Sequence, residues 1–574
     1  MSELTNKEIA GMLRELAGLL EINGENRYRV RAYYNASRKI MESSEDLKKL
    51  AKEGRLKEIP GIGEGIAATI REIFENGYCP PLEEIKGELP TGVLELIQIP
   101  GLGPKRAHQL FYELGIQDVA DFKRALEQGR IRKLKGFGPK TEENLLKALQ
   151  EYERYREAIL LFQALNYSEE ILNYLRKGKD VIRVARAGSL RRQKELIGDL
   201  DILVASKNNR GVMEYFTAWP GVQEVLLQGE SKTSIITDEQ VQVDLRVVSE
   251  EEFPAALQYF TGSKEHNLRL RERAKKFGLK LNEYGLFKGE KRLKLEREAD
   301  IYQALELDYI IPELREDRGE IAAAARGNLP ESVSLEDIRG DLHMHSRFSD
   351  GAHTIEEMVE AARARGYQYL AITDHSQSLR VAHGMTPETL EEEMKEIDRL
   401  QEKYDDITIL KGIEVDIDYD GSLDYSDEIL SRLDLVIASI HTGFNQDREQ
   451  ITTRIIKAME NPYVNIIAHP QGRILKKRRA YDLDLERIIK RAAETGTCLE
   501  INASPYRLDL DDLSVKRARE EGVKIAINTD SHHINEFADM ALGVAVARRG
   551  WLEKDDIINT MEIDDLLKFL NWRG

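Results

Sequence analysis

The stretch AGSLRRQKELIGDLDILVAS, residues 187–206, decides the fold of the first half of this chain. Within it, Asp199 and Asp201 are one residue apart on an apparent strand, so both side chains point to the same face. A third carboxylate, Asp244, lies in VQVDLRVV, whose alternating apolar residues are typical of a half-buried strand. Three converging carboxylates repel one another unless divalent cations lie between them, as in two-metal phosphoryl transfer. The alternative, a solvated acidic strand end, does not explain the upstream turn at Gly188 and Ser189.

The charge of the chain is distributed unevenly. The chain has 574 residues, which at roughly 150 residues per domain predicts about four domains. Of the net charge of −18, residues 1–320 carry −2 and residues 321–574 carry −16. Nine of the 11 histidines also lie after residue 340. An acidic segment repels phosphate unless bound cations offset its charge, so we expect metal ions in the second half.

Three features are typical of a cytoplasmic protein that does not contact membranes. No apolar run approaches the roughly 20 residues that span a bilayer. The N-terminal sequence MSELTNKEIAGMLREL has an amphipathic helix pattern and lacks the basic and apolar regions of a signal peptide. Cys79 and Cys498 are far apart, without the spacing of a metal site or a disulfide framework.

Three related strings, IPGIGEGIA, IPGLGPKRA and LKGFGPKTE, recur in the helical residues 1–150. Each places a Gly-x-Gly turn between helices, so backbone amides at the next helix N-terminus can approach a phosphate. Such a contact does not involve the bases, so these turns would bind DNA of any sequence. One copy alone would be an ordinary turn, whereas three copies resemble helix-hairpin-helix motifs. The expected DNA-binding residues are Gly61, Gly63, Gly101, Gly103, Lys105, Gly136, Gly138 and Lys140.

The order of the motifs over residues 1–320 resembles that of the family X DNA polymerases. After GS-x-x-R and GD-x-D come YFTGSKEHN, residues 259–267, and LNEYGLF, residues 281–287. The resemblance implies a polymerase that uses dNTPs to fill short gaps in gapped or nicked double-stranded DNA during base excision repair. It implies that the catalytic residues Asp199, Asp201 and Asp244 hold Mg²⁺ or Mn²⁺. It further implies a set of nucleotide-binding residues, which are Gly188, Ser189, Arg192, Gly198, Tyr259, Gly262 and Asn267.

One position departs from the pattern of that family. In members with 5′-deoxyribose-phosphate lyase activity, a Schiff-base lysine follows the first hairpin, whereas the aligned residue here is Thr69. Threonine has no amine nucleophile, so we expect this lyase activity to be weak or absent.

The second half of the chain contains Asp, Glu and His residues in a distinctive order. Nearly every one lies at the carboxyl end of a predicted strand, and the alternating strands and helices predict a parallel sheet or barrel. A lone histidine there would more often be structural, but nine such residues in this register indicate a metal site. Mixed imidazole and carboxylate ligands favour Zn²⁺ or Mn²⁺ over Mg²⁺ alone. The nine expected ligands are His343, His345, Asp350, His375, Glu414, His441, His469, Asp530 and His532.

These motifs resemble the PHP (polymerase and histidinol phosphatase) domain over residues 338–550. The resemblance implies a distorted (βα)7 barrel that holds two or three Mn²⁺ or Zn²⁺ ions and hydrolyses phosphoesters. Attached to a polymerase, such a barrel implies 3′–5′ exonuclease or 3′-end phosphoesterase activity, and abasic-site endonuclease activity is left open. His353, His383 and His533 lie nearby but are not expected to be ligands. The basic run RILKKRRA, residues 473–480, would either guide a DNA strand or form a solvated surface helix.

The predicted fold is multidomain, with a helix-hairpin-helix front end, an α+β nucleotidyltransferase palm with a thumb, and a C-terminal PHP barrel. We expect a monomer. Two other hypotheses stay open: a small-molecule PHP phosphatase tethered to DNA by a decayed polymerase, and a non-catalytic DNA scaffold built on the hairpins. The intact set of three aspartates counts against decay. The expected segments are 1–85 (8-kDa-like helical DNA-binding domain), 86–153 (fingers-like helix-hairpin-helix domain), 154–255 (palm), 256–320 (thumb), 321–337 (linker) and 338–574 (PHP domain).

Overall fold

The chain divides into two compact units, Met1–Glu157 and Ala158–Gly574. The first five residues of the amphipathic pattern at the N-terminus lie outside the described residues. Within the described part, no helix is long and apolar enough to cross a bilayer. The computed structural model describes residues 6–41, 47–59, 61–88, 91–97, 99–444 and 446–571.

The first unit is helical, because its apolar residues recur at helical spacing between glycine turns. One hydrophobic core includes Ile9, Leu13 and Ile70. A second core includes Phe122 and Leu145. The predicted helical front end is therefore confirmed. Its helices are α1 Asn6–Ile22, α2 Arg27–Met41, α3 Leu47–Lys52, α4 Glu64–Asn76, α5 Pro80–Glu88, α6 Thr91–Leu96, α7 Pro104–Leu114, α8 Val119–Glu127 and α9 Pro139–Glu157.

The second unit begins with a palm of mixed strands and helices. Its elements are β1 Ile159–Leu160, α10 Leu161–Leu175, β2 Arg183–Arg186, α11 Gly188–Arg191, β3 Leu196–Ile197, β4 Leu200–Ala205, α12 Asn209–Thr217, β5 Val222–Gln228, β6 Lys232–Thr237 and β7 Gln242–Val248. The main sheet has the order β2-β4-β7-β6-β5, in which β4 and β7 are parallel neighbours. Leu172 of α10 and Phe216 of α12 are buried in the core that includes the sheet. This arrangement sets the ends of β4 and β7 side by side.

The thumb follows the palm and has its own core. Its elements are α13 Phe253–Thr261, α14 Lys264–Lys276, β8 Lys280–Asn282, β9 Gly285–Lys288, β10 Lys291–Arg292, α15 Ala299–Ala304 and α16 Glu320–Ala324. Leu270, Leu286 and Ile301 are buried in this core, which also includes Trp551 from the C-terminal part of the chain. The thumb therefore packs against the C-terminal domain.

The connecting segment 321–337 is packed into the structure. It begins within α16, where Ala323 and Ala324 join the thumb core. Val333 is buried in the core that the palm shares with the barrel. A composition rich in Ala, Gly and Pro predicts a connection but does not reveal whether it packs, because small apolar residues suit both cases.

The C-terminal domain is a barrel of parallel strands with helices between them. Its elements are β11 Gly340–Asp341, α17 Ile355–Ala364, β12 Tyr369–Ile372, α18 Pro387–Lys403, β13 Thr408–Asp416, α19 Asp427–Leu430, β14 Leu435–Ser439, α20 Arg448–Met459, β15 Ile466–Ile467, α21 Leu485–Thr495, β16 Cys498–Asn502, α22 Asp512–Glu520, β17 Ile525–Asn528, α23 Met540–Arg549 and α24 Ile563–Asn571. Across the described residues, seven parallel strands pair in the order β11 to β17.

Backbone hydrogen bonds beyond the first and last strands close the ring. The Asp530 amide donates to the His343 carbonyl at 3.0 Å, and the His345 amide donates to the Ser531 carbonyl at 2.8 Å. The predicted (βα)7 barrel is therefore confirmed. Because the strands are parallel, all their carboxyl ends open on one end of the barrel.

Candidate metal centres

The three palm aspartates meet at the adjoining ends of β4 and β7. Asp201 in β4 and Asp244 in β7 are direct neighbours across the parallel pair. Asp199 lies one residue before β4 rather than within it, and its side chain still reaches the same point. Each aspartate offers an oxygen within 4.8 Å of the others. The sequence spacing and the strand pairing thus bring together three carboxylates that could hold a cation.

The electrostatics of this cluster favour a bound cation. Burial, and then the charges of Asp199 and Asp244, raise the pKa of Asp201 to about 7. Burial and the Asp244 charge also raise the pKa of Asp199. A carboxyl group that is difficult to ionise beside its neighbours gains from a divalent cation, which neutralises the mutual repulsion. The donor set therefore fits Mg²⁺ or Mn²⁺.

Lys232 is a residue of this centre that the sequence reasoning missed. Its Nζ lies 2.5 Å from Asp244 Oδ2. Burial raises the pKa of Asp244, but hydrogen bonds from Lys232, Ser234 and Gln242 outweigh it and leave the pKa below its ordinary value. Lys232 comes from β6, where Ser234 and not Lys232 lies directly opposite Asp244, and nothing in its flanking sequence indicates that its side chain reaches this carboxylate.

The turn after β2 requires glycine at its first position. Gly188 has a φ of +58°, and a Cβ there would lie 2.1 Å from Asp201 Oδ2. The structure therefore places Gly188 directly against the aspartate cluster, with Ser189 next to it in α11. Gly198 is exposed beside Asp199.

The other predicted nucleotide-binding residues lie where palm and thumb meet. Arg192 Nε lies 2.9 Å from Glu316 Oε1, and its Nη1 donates to the Thr261 carbonyl at 2.5 Å. A Cβ on Gly262 would lie 3.1 Å from the same Nη1, so these two predicted residues adjoin.

Asn267 and Tyr259 are joined across the α13–α14 turn. Asn267 Nδ2 donates to the Tyr259 carbonyl at 2.7 Å. Asn267 Oδ1 accepts a hydrogen bond from Gln258 at 2.7 Å, so the buried amide is held on both sides. The Tyr259 ring packs edge-on against Phe260.

The glycine hairpins of the first unit have the geometry expected of phosphate-binding turns. The first glycines, Gly61, Gly101 and Gly136, have φ values of +92°, +84° and +88°. The second glycines directly precede the helices α4, α7 and α9. Lys105 and Lys140 are exposed in the first turns of α7 and α9. Each turn thus presents helix N-terminal amides to solvent, which favours an anion.

Thr69 lies in the interior of the first unit. It is 5% exposed, and its hydroxyl lies 3.2 Å from the Tyr33 hydroxyl and donates to the Gly65 carbonyl at 3.1 Å. Neither neighbour supplies an amine at this position.

The nine predicted ligands of the barrel lie around its open end in one connected cluster. His345, Asp350, His375 and His532 form one group of candidate ligands. A second group joins His343 and His345 to Asp530, and a third joins His375 to Glu414 and His441. His469 completes the cluster, with its Nε2 3.1 Å from Glu414 Oε1. The three groups overlap at His345 and His375, so the nine residues form one cluster rather than three separate sites.

Several buried polar atoms of this cluster have no hydrogen-bond partner in the described part of the protein, and a bound metal ion would satisfy them. Among the described residues, His343 Nε2 and His469 Nδ1 are buried without a hydrogen-bond partner, and Glu414 Oε2 lies 2.8 Å from His375 Nδ1 without the geometry of a hydrogen bond. Burying a polar atom without a partner costs about 1–3 kcal/mol. Burial, and then the neighbouring His532 and His375, lower the pKa of His345 to about 4. At His441 burial lowers the pKa, but nearby carboxylates outweigh burial and raise the pKa to about 10, so a bound metal would have to displace that proton.

Two further carboxylates, Glu500 and Asp416, contact the imidazole rings of predicted ligands. Glu500 Oε1 lies 2.7 Å from His343 Nδ1, and its Oε2 accepts the His469 amide at 2.8 Å. Asp416 Oδ1 lies 3.1 Å from His441 Nδ1. The sequence reasoning missed both residues. A signal was present for Glu500, because a carboxylate in the apolar strand CLEIN parallels Glu414 in KGIEV.

Three other histidines stay apart from the ligand groups. The rings of His353 and His533 contact each other, with centroids 4.5 Å apart. His383 is exposed, in a left-handed conformation with a φ of +57°.

The basic run 473–480 is a turn and not a surface helix, which corrects one of the two expectations for it. Ile474 and Arg478 form a bridge across the turn. Arg473 is 12% exposed and its Nη2 lies 2.6 Å from Glu195 Oε2 of the palm. Arg478 stacks on Phe444 at 4.0 Å. A count of positive charges cannot reveal that Arg473 has a carboxylate partner distant in sequence.

Comparison with known families accounts for most of the chain. The models that match are "Helix-hairpin-helix domain" over residues 4–79, "SAM-like Helix-hairpin-helix tandem" over 93–151, "DNA polymerase beta thumb" over 256–316 and "PHP domain" over 341–504. The matches follow the order of the front end, thumb and barrel described above.

Individual relatives are similar to the chain over different lengths. A probable phosphatase of Thermoanaerobacter sp. (strain X514) is 34% identical over 38% of this chain and 89% of its own length. A probable phosphatase of Acetivibrio thermocellus is 33% identical over 33% of this chain and 78% of its own. The DNA polymerase/3′-5′ exonuclease PolX of Bacillus subtilis (strain 168) is 40% identical over 98% of this chain and 99% of its own. Since that similarity spans both units, the chain belongs to the family X DNA polymerases with a C-terminal PHP domain.

Proposed function

We propose that this chain fills short gaps in damaged DNA with its palm and removes or repairs 3′ ends with its PHP barrel. One observation carries the proposal: two separate groups of metal-ligand residues, one of aspartates and one rich in histidine, occur in a chain similar to PolX over nearly its whole length. The substrates that suit this pair of sites are gapped or nicked double-stranded DNA and dNTPs. We further propose a cytoplasmic monomer.

The palm residues would bind and orient the reactants of nucleotidyl transfer. Mg²⁺ or Mn²⁺ bound to the three aspartates would activate the primer hydroxyl and offset charge on the leaving pyrophosphate. Arg192 would hold the triphosphate beside the Gly188 turn, where the backbone passes close to Asp201. Tyr259 would abut the sugar of the incoming nucleotide, and Asn267 would contact its base.

The barrel residues would hold a DNA 3′ end for hydrolysis. Two or three Mn²⁺ or Zn²⁺ ions held by the nine ligands would supply an activated water and charge for the phosphate oxygens. Glu500 and Asp416 would keep the rings of His343 and His441 in the ligating orientation. The hairpins of the first unit would bind the DNA backbone without reading sequence.

We propose that the chain has little or no deoxyribose-phosphate lyase activity. A Schiff base needs an accessible amine, and Thr69 supplies only a buried hydroxyl. Borohydride treatment with a 5′-deoxyribose-phosphate substrate should therefore trap no covalent adduct.

The proposal is tested with a duplex that contains a one-nucleotide gap and a labelled primer. With Mg²⁺ or Mn²⁺ and the complementary dNTP, the primer should lengthen by one nucleotide. Without dNTPs, Mn²⁺ should cause stepwise shortening from the 3′ end. A chain that does neither, yet hydrolyses a small phosphomonoester, would instead have the function that its shorter phosphatase relatives suggest.

A further inference from the structure

The predicted triphosphate-binding arginine of the palm is held by residues of the thumb and of the PHP domain. Arg192 of the palm contacts Glu316, which follows the thumb strands and α15, at 2.9 Å. Arg549, from the last turn of α23 in the PHP domain, contacts the same Glu316 oxygen through Nη1 at 3.1 Å. That Nη1 also donates to the Arg192 carbonyl at 2.7 Å. One guanidinium of the PHP domain therefore contacts both members of the Arg192–Glu316 pair.

Arg549 is itself fixed within the PHP domain. Its Nη2 lies 2.6 Å from Asp512 Oδ2, at the start of α22. Arg318 contacts the same Asp512 oxygen at 3.0 Å. Arg549 is 4% exposed, and Arg192 and Glu316 are each 11% exposed. Because these groups are shielded from water, their charges interact strongly and the loss of one is costly.

Arg192 and Arg549 share one oxygen of Glu316, so Arg549 affects how easily Arg192 can move away from Glu316. Burial raises the pKa of Glu316, but Arg192 and Arg549 outweigh it and keep the pKa below its ordinary value. A triphosphate that draws the Arg192 guanidinium away removes one of these two cations. With Arg549 in place, Glu316 keeps a counter-ion. Without Arg549, the same movement would leave a buried carboxylate uncompensated, which is strongly unfavourable.

We propose that Arg549 of the PHP domain is a positioning residue of the polymerase nucleotide site, which keeps Glu316 neutralised and the Arg192 backbone fixed so that Arg192 can engage the triphosphate. Arg549 acts through Arg192 and Glu316 and touches no substrate. The inference rests on the polymerase function proposed above. It makes dNTP binding depend on a side chain outside the palm and thumb.

Single-nucleotide gap filling with a titration of dNTP tests the inference. Arg549→Ala should raise the KM for dNTP about tenfold or more and change kcat less than about twofold, because the lost interaction is a charge-assisted hydrogen bond. Arg549→Lys keeps the charge but cannot bridge all three partners, so it should raise the KM less. Adding Glu316→Gln to Arg549→Ala should bring the KM back toward the wild-type value, because the uncompensated charge is then gone.

Arg548→Ala is the matched control. Arg548 adjoins Arg549 in α23 and donates to Glu313 at 2.9 Å, so its loss weakens the same thumb–PHP contact at another ion pair. Its KM should equal that of the wild type. Equal KM increases in Arg548→Ala and Arg549→Ala, or no suppression by Glu316→Gln, would overturn the inference.

The same assay covers a variant that does not fold, and it separates failure of the proposed function from failure of the inference. If Arg549→Ala does not fold, Arg549→Lys and Arg549→Lys/Glu316→Gln form the same comparison. If the wild-type chain does not extend the primer, the proposed function fails. If it extends the primer and Arg549→Ala leaves the KM unchanged, the inference alone fails.

Discussion

At the scale of single residues, the polymerase centre depends on charges that share a small volume. Asp199, Asp201 and Asp244 come within 4.8 Å of one another, and among the described residues only Asp244 has a lysine, Lys232, within ion-pair distance. Burial, and then repulsion from the neighbouring carboxylates, raises the pKa values of Asp199 and Asp201. A divalent cation relieves this repulsion, so protons and cations compete for the same oxygens.

The affinity of the palm for Mg²⁺ should consequently depend on pH. Burial, followed by the charges of Asp199 and Asp244, raises the pKa of Asp201 to about 7. Below that pH a proton occupies the carboxyl group and opposes the cation, and above it the proton is gone. Mg²⁺ titrations of primer extension between about pH 5.5 and 8.5 should show affinity that increases up to about 7 and then levels off. An affinity for Mg²⁺ that stays constant over this range would contradict the role of Asp201 as a cation ligand.

Gly188→Ala should strongly reduce primer extension. The new Cβ would lie 2.1 Å from Asp201 Oδ2, so the aspartate or the turn must move. We expect a loss of at least about tenfold in kcat/KM, since small displacements of reacting groups are costly. Gly289→Ala is the control, because Gly289 has a similar φ of +60° but open space around its Cβ position. Equal activity in both variants would show that the close approach to Asp201 is unimportant.

At the scale of elements, parallel strands made much of the barrel site predictable. Successive strand ends carry His375, Glu414 and His441, and parallel pairing brings such ends to one face of the barrel. The grouping of these residues could therefore be predicted without knowing side-chain positions. Their roles as ligands stay a prediction.

Contacts between elements distant in sequence could not be predicted. Lys232 reaches Asp244 because β6 and β7 pair in a register that sets Ser234 opposite Asp244 and Lys232 two residues away along β6. The Arg473–Glu195 pair joins residues 278 positions apart. A basic run gives no sign of such a partner, so the sequence leaves a surface helix as one of two predictions for residues 473–480. Glu500 is different, because the sequence itself places this carboxylate within the apolar strand CLEIN.

Arg473→Ala should destabilise the second unit more than loss of an exposed ion pair does. Arg473 is 12% exposed and pairs with a partly buried Glu195. We expect a loss of about 1–3 kcal/mol in the free energy of unfolding, measured by urea denaturation. Arg487→Ala, which removes an exposed pair with Glu449, should cost less than about 1 kcal/mol. A larger effect of Arg487→Ala would show that the turn does not anchor the barrel to the palm.

At the scale of the whole molecule, one chain carries two centres of different chemistry. Oxygen ligands alone suit Mg²⁺ or Mn²⁺ in the palm, and mixed nitrogen and oxygen ligands suit Mn²⁺ or Zn²⁺ in the barrel. The palm and barrel share one continuous hydrophobic core, and the thumb core includes Trp551. The two activities therefore use different chemistry, but their domains are packed together. We infer that Arg549 links the PHP domain to the nucleotide site of the palm.

The most direct test of two independent centres is a paired assay of Asp201→Ala and His343→Ala on one gapped duplex, with dNTPs supplied or withheld. Asp201→Ala should lose primer extension by at least about a thousandfold and keep 3′-end hydrolysis. His343→Ala should lose hydrolysis and keep extension. Loss of both activities from either single variant would contradict the account.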